Sequence, residues 1–120
     1  MVDSPLEKPL AWLGSSHKDL TEMPAEVQDV FGYALHLAQH GERHAKAKSF
    51  KITGESGLVE VIDDFDGDTY RAIYTIRYND TVYVIHCFQK KSKFGIKTPK
   101  QEVDVVVQRL KRLKELLAAR

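Results

Sequence analysis

Cysteine is almost missing from this chain: Cys87 stands alone among 120 residues. No internal disulfide can staple the fold, and a reducing compartment suits it. There is no 18-residue apolar run. The first 20 residues carry acids, Pro5 and Pro9 where a secretory leader would place a basic and then an apolar stretch. A soluble, cytoplasmic protein with no membrane partner is therefore expected. No glycine-rich motif that could cradle phosphates occurs, nor any repeat or low-complexity tract. Charge of one sign is not in excess either, the formal net charge being +1. What is present is 42% hydrophobic residues in a chain able to bury roughly 65–70% of its unfolded surface, so a single domain over residues 1–120 is expected.

The small net charge conceals blocks of one sign. Residues 1–42 hold seven Asp/Glu against two Lys. Residues 43–54 hold Arg43, Lys46, Lys48 and Lys51 without an acid, and residues 89–100 hold Lys90, Lys91, Lys93, Lys97 and Lys100, again without one. Between them, residues 55–70 hold six acids and no base. Such blocks create local fields, and two acid-free basic segments point to an anionic partner; the structural alternative is a pair of solvated loops.

Hydrophobic period gives the order of elements. Val27, Val30, Phe31, Ala34, Leu35 and Ala38 form one stripe of a helix over Pro24–His40, with Pro24 at its first position and Gly41 as its C-terminal cap. A short helical turn over His17–Met23, capped by Ser16, precedes it, and Leu10–Leu13 is a candidate short strand. After Gly57 the period drops to two. Leu58–Ile62, Tyr70–Tyr78 and Thr81–Phe88 are rich in β-branched and aromatic residues, with Asp66-Gly67 and Asn79-Asp80 as hairpin turns. A last helix over Pro99–Ala118 carries a Thr98/Gln101 capping box and a stripe of Val103, Val106, Val107, Leu110, Leu113 and Leu117. The expected class is α+β: two N-terminal helices, an antiparallel meander and a C-terminal helix, with the helices on one sheet face.

A two-residue turn at Asn79-Asp80 pairs Tyr78 with Thr81, and then 76 with 83, 74 with 85 and 72 with 87. Ala72, Tyr74, Ile76, Tyr83, Ile85 and Cys87 then face the helices. Arg71 falls opposite Phe88 and His86 opposite Ile73 on the other face, making Arg71 and His86 diagonal neighbours roughly 7–8 Å apart. That strand end runs into Gln89-Lys90-Lys91-Ser92-Lys93 and so collects cations, an imidazole and a ring. Each residue also has a structural reading: Arg71 covering the solvent face, His86 as a hydrogen-bonded structural histidine, and the lysines protecting an edge.

Other constellations carry less. His36, His40 and His44 recur every four residues and could hold a metal, but no acid or cysteine sits in their register and His44 lies beyond Gly41. Asp64, Asp66 and Asp68 lack the later glutamate of a calcium loop. Cys87 points away from His86, against a thiol–imidazole pair. No metal or cofactor is expected.

The stretches Gly57-Leu58-Val59-Glu60 and Asp66–Tyr74 together resemble the "GL-E…G-YR-LY" core of HigB-like, phage-associated members of the RelE/ParE toxin superfamily. Val84–Ser92 and Lys97-Thr98-Pro99 are similar to their "LH-F-KKS…KTP" segment. The resemblance implies a RelE-like fold, cleavage of mRNA, commonly on the ribosome, and neutralisation by a cognate antitoxin. It places Arg71 near the scissile phosphate, matches Lys90 and Lys91 to a basic pair after the last strand, and sets Lys48 and Lys51 where relatives carry lysines. Two departures stand out: Ile62 occupies a position often arginine in relatives, and the C-terminal catalytic tyrosine of some relatives has no counterpart.

The expected activity is thus metal-independent endoribonuclease action with the 2′-hydroxyl as nucleophile. Arg71 stabilises phosphoryl charge, His86 or a lysine of the Lys90–Lys91 pair moves protons, and Phe88 or Phe94 stacks on a base. Lys48, Lys51, Lys93 and Lys97 complete the RNA contacts. The alternatives are a non-catalytic gyrase poison, as on the ParE side of the superfamily, and a phage-derived binding module.

Overall fold

The computed structural model describes residues 7–90 and 97–119. In chain order the elements are β1 (Leu10–Trp12), α1 (Ser16–Thr21), α2 (Ala25–Gln39), β2 (Ala47–Ile52), β3 (Glu55–Phe65), β4 (Asp68–Thr75), β5 (Val82–Lys90) and α3 (Lys100–Ala118). The five strands form one sheet in the order β1-β5-β4-β3-β2, antiparallel except for the parallel pair β1–β5. This is the expected α+β architecture, with β2 as a strand the hydrophobic period did not reveal.

The helices begin and end where local chemistry dictates. Pro24 precedes α2 as its N-cap, so the helix begins one residue later than expected, and the Pro24 carbonyl accepts from Val27 and Gln28. At the other end Gly41 takes φ +77. Its N–H reaches the Ala38 carbonyl while Glu42 N–H reaches that of Leu37, the paired closure that a left-handed residue permits. Val27, Phe31, Ala34, Leu35 and Ala38 are buried as the stripe requires.

The helices do not share one face. Val59, Val61, Ala72, Tyr74, Val82, Val84 and Cys87 pack with the stripe of α2 and with Leu20 of α1. Leu58, Ile73, Ile85 and Phe88 pack with Val106 and Leu110 of α3. The sheet is therefore covered on both sides, which is why its central strands read as nearly continuous apolar runs.

Register departs from the expectation twice. The Asn79-Asp80 turn forms as expected, both residues at positive φ and Thr81 N–H donating to the Tyr78 carbonyl at 3.1 Å. Thr75, however, faces Tyr83, so one extra residue lies on the β4 side before the turn. A second irregularity sits on β5, where Val84 faces Tyr74 and His86 faces Ile73, leaving Ile85 as a bulge. The two slips cancel. Arg71 still pairs with Phe88 and Ile73 with His86, while Ile85 turns to the α3 side, opposite to its expected orientation. A bulge frees a carbonyl, and that of Ile85 accepts from Arg109 Nη1 of α3 at 2.9 Å. Gly14 leaves room for this arginine: at φ +54, a Cβ there would sit 2.4 Å from Arg109 Nε.

The turn offers a test. A two-residue hairpin turn with both residues left-handed favours Asn-Gly, and here Asp80 holds φ +48. Its exposed contact with Lys8 is long, at 3.8 Å, and adds little. Asp80→Gly should raise the urea midpoint, corresponding to about 0.5–1 kcal/mol; an unchanged or lower midpoint would contradict this turn geometry.

Candidate functional site

Cross-strand pairing lays a row of side chains over the α3 face. Lys48 faces Glu60, Glu60 faces Ile73, and Ile73 faces His86, while the next row sets Ile62, Arg71 and Phe88 side by side. β2 is what carries Lys48 and Lys51 to this surface. At its end nearest β2 lies a groove of ≈ 680 Å³ between the sheet and the start of α3. Its charged lining is Lys48, Lys51, Arg71, Lys97 and Lys100 against Glu60 alone.

Arg71 lies at the floor of this groove rather than on an open face. It is 4% exposed, and Nη1 donates to Glu60 Oε2 at 3.0 Å and to Thr98 Oγ1 at 3.1 Å. Thr98 Oγ1 donates in turn to the same Glu60 oxygen at 3.1 Å. The hydroxyl expected to cap α3 is thus engaged in a triangle with the ion pair, and Pro99 stands as N-cap without a side-chain bond. A buried pair survives only with such extra hydrogen bonds to offset lost hydration. Glu60 was visible in sequence as the single acid inside the run Leu58–Ile62, and a buried acid in a strand demands a cation.

Lys90, across from Thr69, is also buried. Loss of hydration and repulsion by Arg71 hold its pKa below that of an ordinary lysine, with Glu60 pulling the other way. Four of the sequence-selected residues, Arg71, Lys48, Lys51 and Lys97, thus line one groove, and Lys90 shares its field. Lys91, Lys93 and Phe94 lie outside the described residues.

His86 is placed differently. It shares a face with Arg71 but borders a second hollow with Asp19, Tyr70, Phe88 and Glu102. Both ring nitrogens meet α3: Nε2 lies 2.7 Å from Glu102 Oε1, and Nδ1 lies 3.4 Å from Arg109 Nη1. Phe88 stacks on the ring at 4.7 Å and is itself buried. Burial lowers the His86 pKa, opposed by Glu102 and assisted by Arg109. Neither Glu102 nor Arg109 was legible as a partner, because both lie on a helix distant in sequence. Cys87 is buried on the α2 side with its thiol pushed up to about 12 by burial, a poor nucleophile.

Among known families, the model of the phage-derived Gp49-like proteins (DUF891) matches residues 18–111, from α1 into the last turns of α3. A comparison with curated proteins returns no match. No described helix is long and apolar enough to cross a membrane.

Two stability tests follow from this geometry. Arg71→Ala should cost about 3–5 kcal/mol in a denaturant melt, because it strands the Glu60 carboxylate, whereas Arg71→Ala combined with Glu60→Leu should cost less. A single variant as stable as the parent would show that the pair is not buried as described. The second concerns acid. An unfolded histidine titrates near 6.5 and the folded His86 below it, so the unfolded chain takes up a proton first. Stability is intact above that value and falls with pH through the window beneath it, until the folded group also titrates. His86→Gln should flatten this slope; Glu55, held below 4.5 against its burial by Lys114 and Tyr78, acts only at lower pH. An unaltered slope in the variant would assign the effect elsewhere.

Proposed function

The chain belongs to the family of phage-derived Gp49-like proteins, and on that footing we propose that it is the toxin of a toxin–antitoxin pair which cleaves mRNA on the ribosome. Family membership is consistent with a toxin in general. The reading of a ribonuclease rests on one observation: four lysines rim a groove whose floor is an arginine fork.

The groove's parts match what the reaction needs. Lys48, Lys51, Lys97 and Lys100 are exposed at its rim and hold backbone phosphates on either side of the cut. Arg71 faces the scissile phosphate, and its planar guanidinium takes phosphoryl oxygens in place of the Glu60 carboxylate. Glu60, once displaced, is a carboxylate beside the attacking 2′-hydroxyl and accepts its proton. Lys90, with its lowered pKa, donates to the leaving 5′-oxygen; the charge required comes from the chain's own cations. His86, gripped from both nitrogens by α3, acts as a positioning residue that holds the helix start against the sheet. The cognate antitoxin lays an acidic segment over the same groove, since carboxylates can take the places of phosphates.

Expression without antitoxin should arrest bacterial growth with loss of mRNA. Arg71→Lys keeps the charge beside Glu60 but removes the fork, and should reduce cleavage roughly 100- to 1,000-fold with the fold retained. Lys48→Ala with Lys51→Ala should flatten the salt dependence of RNA binding by roughly 1.4 logarithmic units per decade of salt. Arrest of DNA replication with transcripts left whole would instead favour a gyrase poison.

A further inference from the structure

We propose that Glu7, His36 and His40 form a binding site for a divalent transition-metal ion, zinc by the chemistry of the donors, that clasps the N-terminal segment to the end of α2. His36 and His40 stand four residues apart in the last turn of α2 and just beyond it, so their rings project from one side of the helix. The third donor comes from a segment far away in sequence. One donor atom from each of the three residues lies within 4.8 Å of the others. Tetrahedral zinc with bonds of about 2.0–2.1 Å sets its ligand atoms roughly 3.3 Å apart. Glu7 Oε2 and His40 Nε2 are already 3.6 Å apart, and Glu7 and His36 are exposed enough to swing the remaining distance.

The tautomers select the ligands. His40 N–H bonds to Leu37, and its Nδ1 lies 2.8 Å from the His36 carbonyl. A carbonyl only accepts, so Nδ1 carries the proton and Nε2 presents its lone pair to the Glu7 carboxylate. That lone pair and the carboxylate oxygen, 3.6 Å apart, are two donors aimed at one position a metal ion can take. An imidazole whose other nitrogen donates to a carbonyl is the form metals take, and the negative end of the α2 dipole favours positive charge there. His44 is excluded although its ring meets Tyr33 beside His36: its Nδ1 accepts from Lys46 N–H at 2.9 Å, which puts the proton on Nε2. Glu7 is not a loose end. The next residue exchanges two bonds of 2.9 Å with Gln39, one through each residue's backbone and one through the Gln39 amide, and Pro9 O accepts from Val82 N–H. A metal there would lock the segment that leads into β1 and the edge of the sheet.

The test uses full-length protein without a polyhistidine tag, titrated with zinc chloride by calorimetry and melted with and without zinc. One zinc per chain should bind, and at 100 times its Kd the Tm should rise by roughly 10 °C. His36→Gln and His40→Gln should each weaken binding by more than the roughly 10–100-fold typical of a lost outer-shell partner. Glu7→Gln, a change at an exposed side chain that leaves the helix intact, should also weaken it, and His44→Gln should leave affinity unchanged. Absence of saturable zinc binding, a Tm indifferent to zinc, or affinity insensitive to His36→Gln, His40→Gln and Glu7→Gln would overturn the proposal. So would a His44→Gln loss equal to theirs. The readout is metal binding, so neither outcome depends on whether the groove cleaves RNA.

Discussion

The buried contact between Arg71 and Glu60, closed by Thr98, is the constraint around which the α3 side of the molecule is arranged. It joins β4 to β3 and both to Thr98, two residues before α3. Two charges with so little exposure would be costly alone. Held together they fix the direction in which the C-terminal helix leaves the sheet, and they put a guanidinium at the bottom of a groove whose rim is lysine. In the proposed reaction, the carboxylate that stabilises the fold is also the group an incoming phosphate displaces. On that reading stability and phosphate binding compete for one arginine, the kind of conflict a functional site carries.

A second tie holds the middle of α3. Arg109 reaches the carbonyl of the Ile85 bulge, the His86 ring and Ser15 Oγ, so one guanidinium joins helix, strand and the loop before α1. The bulge matters for the site because it lets β5 serve two cores. Val82 and Val84 face the α2 side, whereas Ile85 and Phe88 face α3. Without the extra residue, Ile85 would lie on the α2 side and leave a gap over Val106 and Leu110.

Elements with a strong local signal were legible in the sequence: the α2 stripe, the Gly41 cap, the Asp66-Gly67 and Asn79-Asp80 turns, and the stripe of α3, in which Val106, Leu110 and Leu113 are buried but Val107 is exposed. The pairing of Arg71 with Phe88 was also legible, because two one-residue slips offset each other between the turn and Ile73. The face of Ile85 was not, since nothing local announces a bulge. β2 was hidden because Lys48 and Lys51 interrupt its apolar positions, and only pairing with β3 makes it a strand. Thr98 followed the local rule for a cap until a tertiary partner competed for its hydroxyl. The burial of Arg71 was not legible, because no local signal places α3 over the second sheet face.

The charge blocks acquire meaning once the layers are known. Glu22, Glu26, Asp29 and Glu42 are exposed on or beside α1 and α2, on one side of the sheet. Lys48, Lys51, Lys97 and Lys100 are exposed around the groove on the other. A helix and a sheet layer separate the two surfaces by roughly 20 Å, against a screening length of about 8 Å at physiological salt. The fields do not cancel in solution even though the charges nearly cancel in sum. A polyanion approaching from the α2 side is repelled and one approaching from the α3 side is drawn in, so the chain orients its groove before any contact forms. A near-neutral protein can in this way favour one face for a polyanion, such as the RNA or acidic antitoxin segment proposed above, without the indiscriminate attraction that a large positive net charge would bring.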